Sequence, residues 1–227
     1  MSVAIITGAS RGLGRALATG IADIGWRVVI DARDPAALAR ACAGIGAAAV
    51  AVPGDVTDPK HRAALVAAAG PLGGVDLLVN NAGILGPSPR PELADYPLDV
   101  FRDVYEVNVL APLALAQLAL RQGVGAIVNI TSDAAVEPYP GWGGYGSAKA
   151  AVEQWSAVLA AERPDVRVWA VDPGDLRTRM HQEAFPGEDI GDRPLPETVV
   201  PAFLHLIATR PASGRIRLSE LRTWTPA

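Results

Sequence analysis

Six short apolar runs, at 3–6, 27–30, 47–52, 77–79, 126–130 and 166–171, recur along this sequence with a longer stretch between each and the next. Those longer stretches, at 12–24, 35–43, 59–69, 98–121 and 145–162, carry helical spacing, as does a further one at 196–209. Short, continuously apolar runs read as strands covered on both faces. Strands that alternate with helices close as a parallel sheet with helices on each side, joined by right-handed crossovers. The expected fold class is α/β, a doubly wound parallel sheet, with a last short strand at 215–218. The 227 residues suit one domain, 1–227, and no repeat or linker divides it. Proline- and glycine-rich stretches at 86–91, 138–144 and 186–196 read as loops bordering a single site.

Composition removes several function classes. Half the residues are apolar, yet no run approaches the roughly 18–20 uninterrupted apolar residues of a membrane span, so no membrane partner is expected. The N-terminus has no basic segment and runs directly into a strand, which speaks against a cleaved signal peptide and for a cytoplasmic protein. Net charge is −4 and the basic residues are scattered, so no nucleic-acid partner is expected. Cys42 is the sole cysteine, which leaves no disulfide framework and no cysteine-based zinc cluster. His61, His181 and His205 are far apart in sequence and read as surface or loop residues, so no metal site is expected.

Thr7-Gly8-Ala9-Ser10-Arg11-Gly12-Leu13-Gly14 follows the first strand and opens the first helix. Glycines at 8, 12 and 14 permit a tight turn and let a pyrophosphate approach the backbone, while the helix N-terminus offers free N–H donors. The end of the second strand is where the adenosine ribose is read, an acidic side chain there selecting NAD and a nearby arginine accommodating the phosphate of NADP. The sequence there is Asp31-Ala32-Arg33. With Ala32 in the discriminating position, Arg33 and Arg11 grip a 2′-phosphate and NADP(H) is preferred. With the register slipped by one residue, Asp31 reaches the ribose and NAD(H) is favoured.

Tyr145-Gly146-Ser147-Ala148-Lys149 opens a later helix, and only one other lysine, Lys60, occurs in the chain. Residues four apart share a helix face, so the Lys149 ammonium can approach the Tyr145 hydroxyl. A tyrosine of ordinary pKa, about 10, is a poor acid/base near neutrality, and a neighbouring positive charge lowers that value. Ser132 ends the 126–132 segment, thirteen residues before Tyr145. Its hydroxyl can hold a substrate oxygen beside the phenol.

With these motifs in order, the chain resembles the short-chain dehydrogenase/reductase family in its compact single-domain branch, whose sheet is Rossmann-like. The resemblance covers Thr7 to about Met180. Thr7–Gly14 matches the family's TGxxxGxG turn, and Asp55-Val56 its acidic-apolar pair against the adenine. Asn80-Asn81-Ala82-Gly83 matches its NNAG segment, which lines the cofactor. Asn108 matches the asparagine that holds a water in a proton relay, and Ser132, Tyr145 and Lys149 the other catalytic residues. Pro173-Gly174, with Thr178, matches the segment that packs against the nicotinamide. The resemblance implies an NADP(H)-dependent oxidoreductase, with NAD(H) possible, acting on a small carbonyl or alcohol substrate. It implies further that Lys149 binds the nicotinamide ribose, and that the helices at 98–121 and 145–162 form a homodimer. The segment 213–221 lacks a glycine pair that many members carry, which puts a tetramer through it in doubt.

The substrate pocket is expected from Val136, Tyr139, Trp142, Met180, His181 and Phe185, with Asp133 and Glu137 directed to solvent. Two other readings compete. A non-catalytic NADP-sensing regulator would not need Asn108, Ser132, Tyr145 and Lys149 together, and a sugar-nucleotide epimerase would need a C-terminal substrate domain.

Overall fold

The computed structural model of the chain describes residues 1–221, so the end of the domain expected over 1–227 lies outside the described residues. Seven strands, β1 (Val3–Ile6), β2 (Arg27–Ala32), β3 (Ala49–Pro53), β4 (Leu77–Asn80), β5 (Ala126–Ile130), β6 (Arg167–Asp172) and β7 (Gly214–Arg217), form one sheet in the order β3-β2-β1-β4-β5-β6-β7. Every neighbouring pair is parallel. The helices are α1 (Gly12–Asp23), α2 (Pro35–Ile45), α3 (Pro59–Ala69), α4 (Leu98–Tyr105), α5 (Ala111–Arg121), α6 (Gly143–Glu162), α7 (Arg179–Ala184) and α8 (Val200–Thr209).

Side chains alternate across each strand, and both faces are covered. Ala4 and Ile6 of β1 point to one core, with Leu17 and Ile21 of α1, Leu38 of α2 and Phe203 and Leu206 of α8. Val3 and Ile5 point to the other, with Leu65 of α3 and Leu115 and Ala119 of α5. Sequence dictates where two helices begin. Asp34 and Asp58 each precede a proline, and their carboxylates accept N–H bonds from Ala36 and Ala37, and from Lys60.

Two elements depart from expectation. The strand expected from 47 begins at Ala49, because Gly46–Ala48 is a 3₁₀ turn. The helix expected over 98–121 is interrupted by a π turn at Glu106–Leu110. Its cause is local: Pro112 has no N–H to give the carbonyl of Asn108, four residues earlier, and the ladder widens around that gap. By length and composition Leu98–Arg121 could cross a membrane, but it carries charges in its first turns and packs partly into this fold.

Strand order reverses between β2 and β4 on either side of β1. In an open parallel sheet such a reversal leaves a crevice outside the carboxyl ends of the strands. That crevice is the site.

Candidate active site

A cleft of about 1490 Å³ runs along the carboxyl ends of the strands, larger than the roughly 300–1,000 Å³ of a drug-sized pocket. One end is the glycine turn. Gly8 has φ +67° and Gly12 φ +54°, conformations that glycine adopts freely. A Cβ on Gly14 would sit 2.5 Å from the Gly8 carbonyl oxygen, so α1 can approach the turn this closely only with glycine there. The turn is tied from β4 as well. The Asn81 amide donates to the carbonyls of Thr7 (2.8 Å) and Gly8 (3.2 Å), and the N–H groups of Asn81 and Ala82 donate to the Thr7 hydroxyl.

The first residue before α1, Arg11, makes no side-chain cap, in contrast to Asp34 and Asp58 before α2 and α3. The residues of this N-terminus, Ser10 to Gly14, line the cleft, and the first N–H groups of a helix have no partner within it. An uncapped N-terminus at a glycine turn fits a pyrophosphate, so the donor set present suits a dinucleotide. Asp55 and Val56 line the same end, as does Arg33. Burial pushes the Asp55 carboxyl up, but two hydrogen bonds from Thr57 and the nearby Arg33 outweigh it and hold the group below its usual range.

Asp31 lines the cleft, yet its carboxylate is tied into the protein. Its Oδ1 accepts the Gly8 N–H at 2.7 Å, and its Oδ2 lies 2.9 Å from His61 Nε2, with the side chain 1 % exposed. Both carboxylate oxygens are thus bonded inside the protein, where the alternative reading of the strand end has Asp31 free for a ribose. His61, expected at the surface, is a buried residue of α3.

The other end of the cleft holds Ser132, Tyr145 and Lys149, with Gly83, Pro173, Gly174 and Thr178. Lys149 is buried and its Nζ donates to the Ile130 carbonyl at 2.8 Å, with burial pushing its pKa down to about 8. The ammonium is 5.4 Å from the centre of the Tyr145 ring. Contrary to the expected lowering, the Tyr145 phenol is pushed up, first by loss of hydration and then by Asp133 and Asp172. Ser132 donates to Asp133 Oδ1 at 2.9 Å, so its hydroxyl must turn to reach a substrate oxygen.

Of the expected catalytic residues, Asn108 alone does not line the cleft. Its amide is spent on the loop after β4, accepting from the Ile84 N–H and donating to the Ile84 carbonyl, both at 2.9 Å. Pro112 has no N–H to offer its main-chain carbonyl. Thr178 caps α7 and packs over Gly12. Gly174, at φ +73°, donates to Asp172 Oδ1 at 3.0 Å, which shapes the turn after β6.

Of the expected pocket residues, Tyr139, Trp142, Met180, His181 and Phe185 line the cleft, while Val136 is half exposed outside it. Asp133, expected in solvent, lines the cleft instead, accepting from Ser132, from the Ala134 N–H and from the Tyr139 hydroxyl. Sequence reading missed Arg90, whose guanidinium stacks 3.9 Å from the centre of the Trp142 ring and 5.0 Å from that of Phe185. It also missed Arg215, which bonds Glu153 and Asp172, both at 2.9 Å, behind the Ser132 carbonyl.

Residues 2–189 match the family described as short chain dehydrogenase. The chain is 35% identical over 199 residues to an NADPH-dependent aldehyde reductase-like protein of Arabidopsis thaliana, covering 78% of this chain and 73% of that one. It superposes with a TM-score of 0.87 on a short chain dehydrogenase of Shigella flexneri in complex with NADP, at 27% identity, covering 95% of each chain. A 3-ketoacyl-(acyl-carrier-protein) reductase of Brucella melitensis in complex with NADH is similar to the same degree, with a TM-score of 0.87 at 29% identity, covering 95% of this chain and 96% of that one. Nothing among these relatives favours a non-catalytic sensor.

Proposed function

This chain belongs to the short-chain dehydrogenase/reductase family, whose chemistry is at CH–OH and C=O groups, and from that premise we propose that it moves a hydride between NADP(H) and a small carbonyl or alcohol. Tyr145 is the acid/base. The reading rests above all on one juxtaposition: Ser132, Tyr145 and Lys149 share a cleft with an uncapped helix N-terminus that suits a pyrophosphate.

When bound, the nicotinamide carries the hydride and, in its oxidised form, adds a positive charge beside the phenol. The rest is the work of the chain. In reduction the Tyr145 hydroxyl gives its proton to the substrate oxygen, and in oxidation the phenolate takes it back. Ser132, turned away from Asp133, donates to the same oxygen and fixes it at the phenol. Lys149, poorly hydrated and close to Tyr145, stabilises the phenolate and hydrogen-bonds the nicotinamide ribose. A water held by Asn108 would connect Lys149 to solvent. Ser10, Gly12, Leu13 and Gly14 would hold the pyrophosphate, Val56 and Asp55 the adenine, and Arg11 and Arg33 a 2′-phosphate. The protein works as a homodimer or larger homo-oligomer in this reading, which is supported by the half-exposed Leu110 of the π turn and Val158 of α6.

The test is a panel of aldehydes, ketones and alcohols assayed with NADPH or NADP⁺ at the nicotinamide absorbance, repeated with Tyr145→Phe. That variant loses one oxygen and keeps the ring. Turnover should fall by roughly 10²–10⁴-fold while cofactor affinity survives. Turnover near wild type in Tyr145→Phe would overturn the mechanism.

A further inference from the structure

The strand end that reads the adenosine ribose carries a carboxylate here, and a free carboxylate would accept the ribose hydroxyls and repel a 2′-phosphate. Asp31 is not free, and two residues distant in sequence keep it so. Gly8 donates its N–H to Oδ1, and the His61 ring meets Oδ2. A carboxylate can only accept, so His61 Nε2 carries the proton in that contact. The ring itself has a prepared seat. A Cβ on Gly54 would fall 2.2 Å from His61 Nδ1, so the imidazole lies flat against a backbone position that any larger residue would block. Its side chain is 6 % exposed. Meanwhile Arg11 and Arg33 are exposed on the rim beside Ala32.

We propose that His61 is a specificity-determining residue for the cofactor: it holds the Asp31 carboxylate inside the protein and so leaves the ribose edge to Arg33 and Arg11. The proposal rests on the NADP(H) reading above. His61 touches neither cofactor nor substrate and acts only through Asp31. Without its N–H, Asp31 Oδ2 is an unpaired buried acceptor, and rotation toward the cleft restores its hydration. In that position it binds ribose hydroxyls and opposes a phosphate.

The experiment is a titration of the full chain with NADPH and with NADH, followed by nicotinamide fluorescence, for the wild type and four variants. His61→Ala should shrink the NADPH-to-NADH affinity ratio by about tenfold or more, the scale of one charged hydrogen bond gained or lost. His61→Gln keeps an N–H donor and should keep the ratio. His61→Ala combined with Asp31→Asn should recover it, since no carboxylate remains to turn outward. Asp31→Asn alone should leave the ratio unchanged, because the wild-type carboxylate is already withdrawn. This last arm does not depend on His61→Ala folding. Equal weakening of both cofactors in His61→Ala, or a ratio that rises tenfold in Asp31→Asn, would overturn the role of His61. A wild type that binds NADPH and NADH alike would overturn the NADP(H) reading itself.

Discussion

Lys149 carries a cost that its position in a core helix does not require. It is 5 % exposed, and among the described residues its ammonium has one hydrogen bond, to the Ile130 carbonyl, besides its place over the Tyr145 ring. Its depressed pKa means that, between pH 8 and the ordinary value of 10.5, the folded chain binds fewer protons than the unfolded one. Stability therefore rises with pH across that window, and below it the penalty is present in full. The shift corresponds to about 3 kcal/mol, of which the lost Ile130 bond would return about 1. Lys149→Met should thus stabilise the cofactor-free protein by about 2 kcal/mol at neutral pH, with the gain fading as pH approaches 10.5. Denaturant titrations at several pH values check this, and equal stabilities at pH 7 would refute it. The same variant should lose turnover and cofactor affinity. Tyr145 and Lys149 were legible because both lie on one helix, where spacing alone sets proximity. Asp31 and His61 were not, because they lie thirty residues apart and only folding shows which way the carboxylate turns.

Secondary-structure elements act on the site through a few polar ties. The strands were legible to within about two residues, since the central ones are continuously apolar and buried on both faces. The π turn was legible only in part: Pro112, which opens the ladder, stands in the sequence, but the bonds from Asn108 to Ile84 beside it appear only on folding. Equally hidden was the role of β7, which reads as a short and unremarkable last strand. From it Arg215 crosses to Glu153 of α6 and Asp172 of β6, and it approaches the Ser132 carbonyl at 3.4 Å. Asp172 in turn holds the Gly174 turn. The two carboxylates are 16% and 7% exposed, and Thr131 also donates to Glu153. Arg215→Met would remove the cation bonded to Glu153 and leave Asp172 with the more distant Arg217, at 3.8 Å, and should cost about 2–4 kcal/mol of stability. Asp172 already raises the Tyr145 pKa, so loss of its counter-charge should raise it further. The pH profile of turnover should then move to higher pH in both directions of reaction, because the acid form persists longer and the base form appears later. A stability loss with an unmoved profile would reduce Arg215 to a structural tie.

At the scale of the whole molecule, a parallel sheet with α1, α2 and α8 on one face and α3, α5 and α6 on the other satisfies its strands completely but leaves the helices' outer surfaces to be explained. Single exposed apolar residues are ordinary on a monomer, whereas apolar residues clustered on neighbouring helices mark an interface. Leu110 is 50% exposed in the π turn that packs on α6, and Val158 is 45% exposed on α6 itself. Net charge is only −4, so self-repulsion is too weak to oppose association of two copies. A C2 dimer through these helices would present each copy's patch to the other's, and a stable interface of this kind covers about 800 Å² per copy. Sedimentation at micromolar concentration should therefore give about twice the chain mass of 23.6 kDa. Placing a charge at both positions, with Leu110→Glu and Val158→Glu together, should shift the population to the single chain, because a carboxylate buried in an apolar interface has no partner there. Neither residue lines the cleft. Cofactor affinity should therefore be retained by the separated chains, which distinguishes a broken interface from a damaged fold. A wild type that sediments at the mass of one chain would refute the dimer outright.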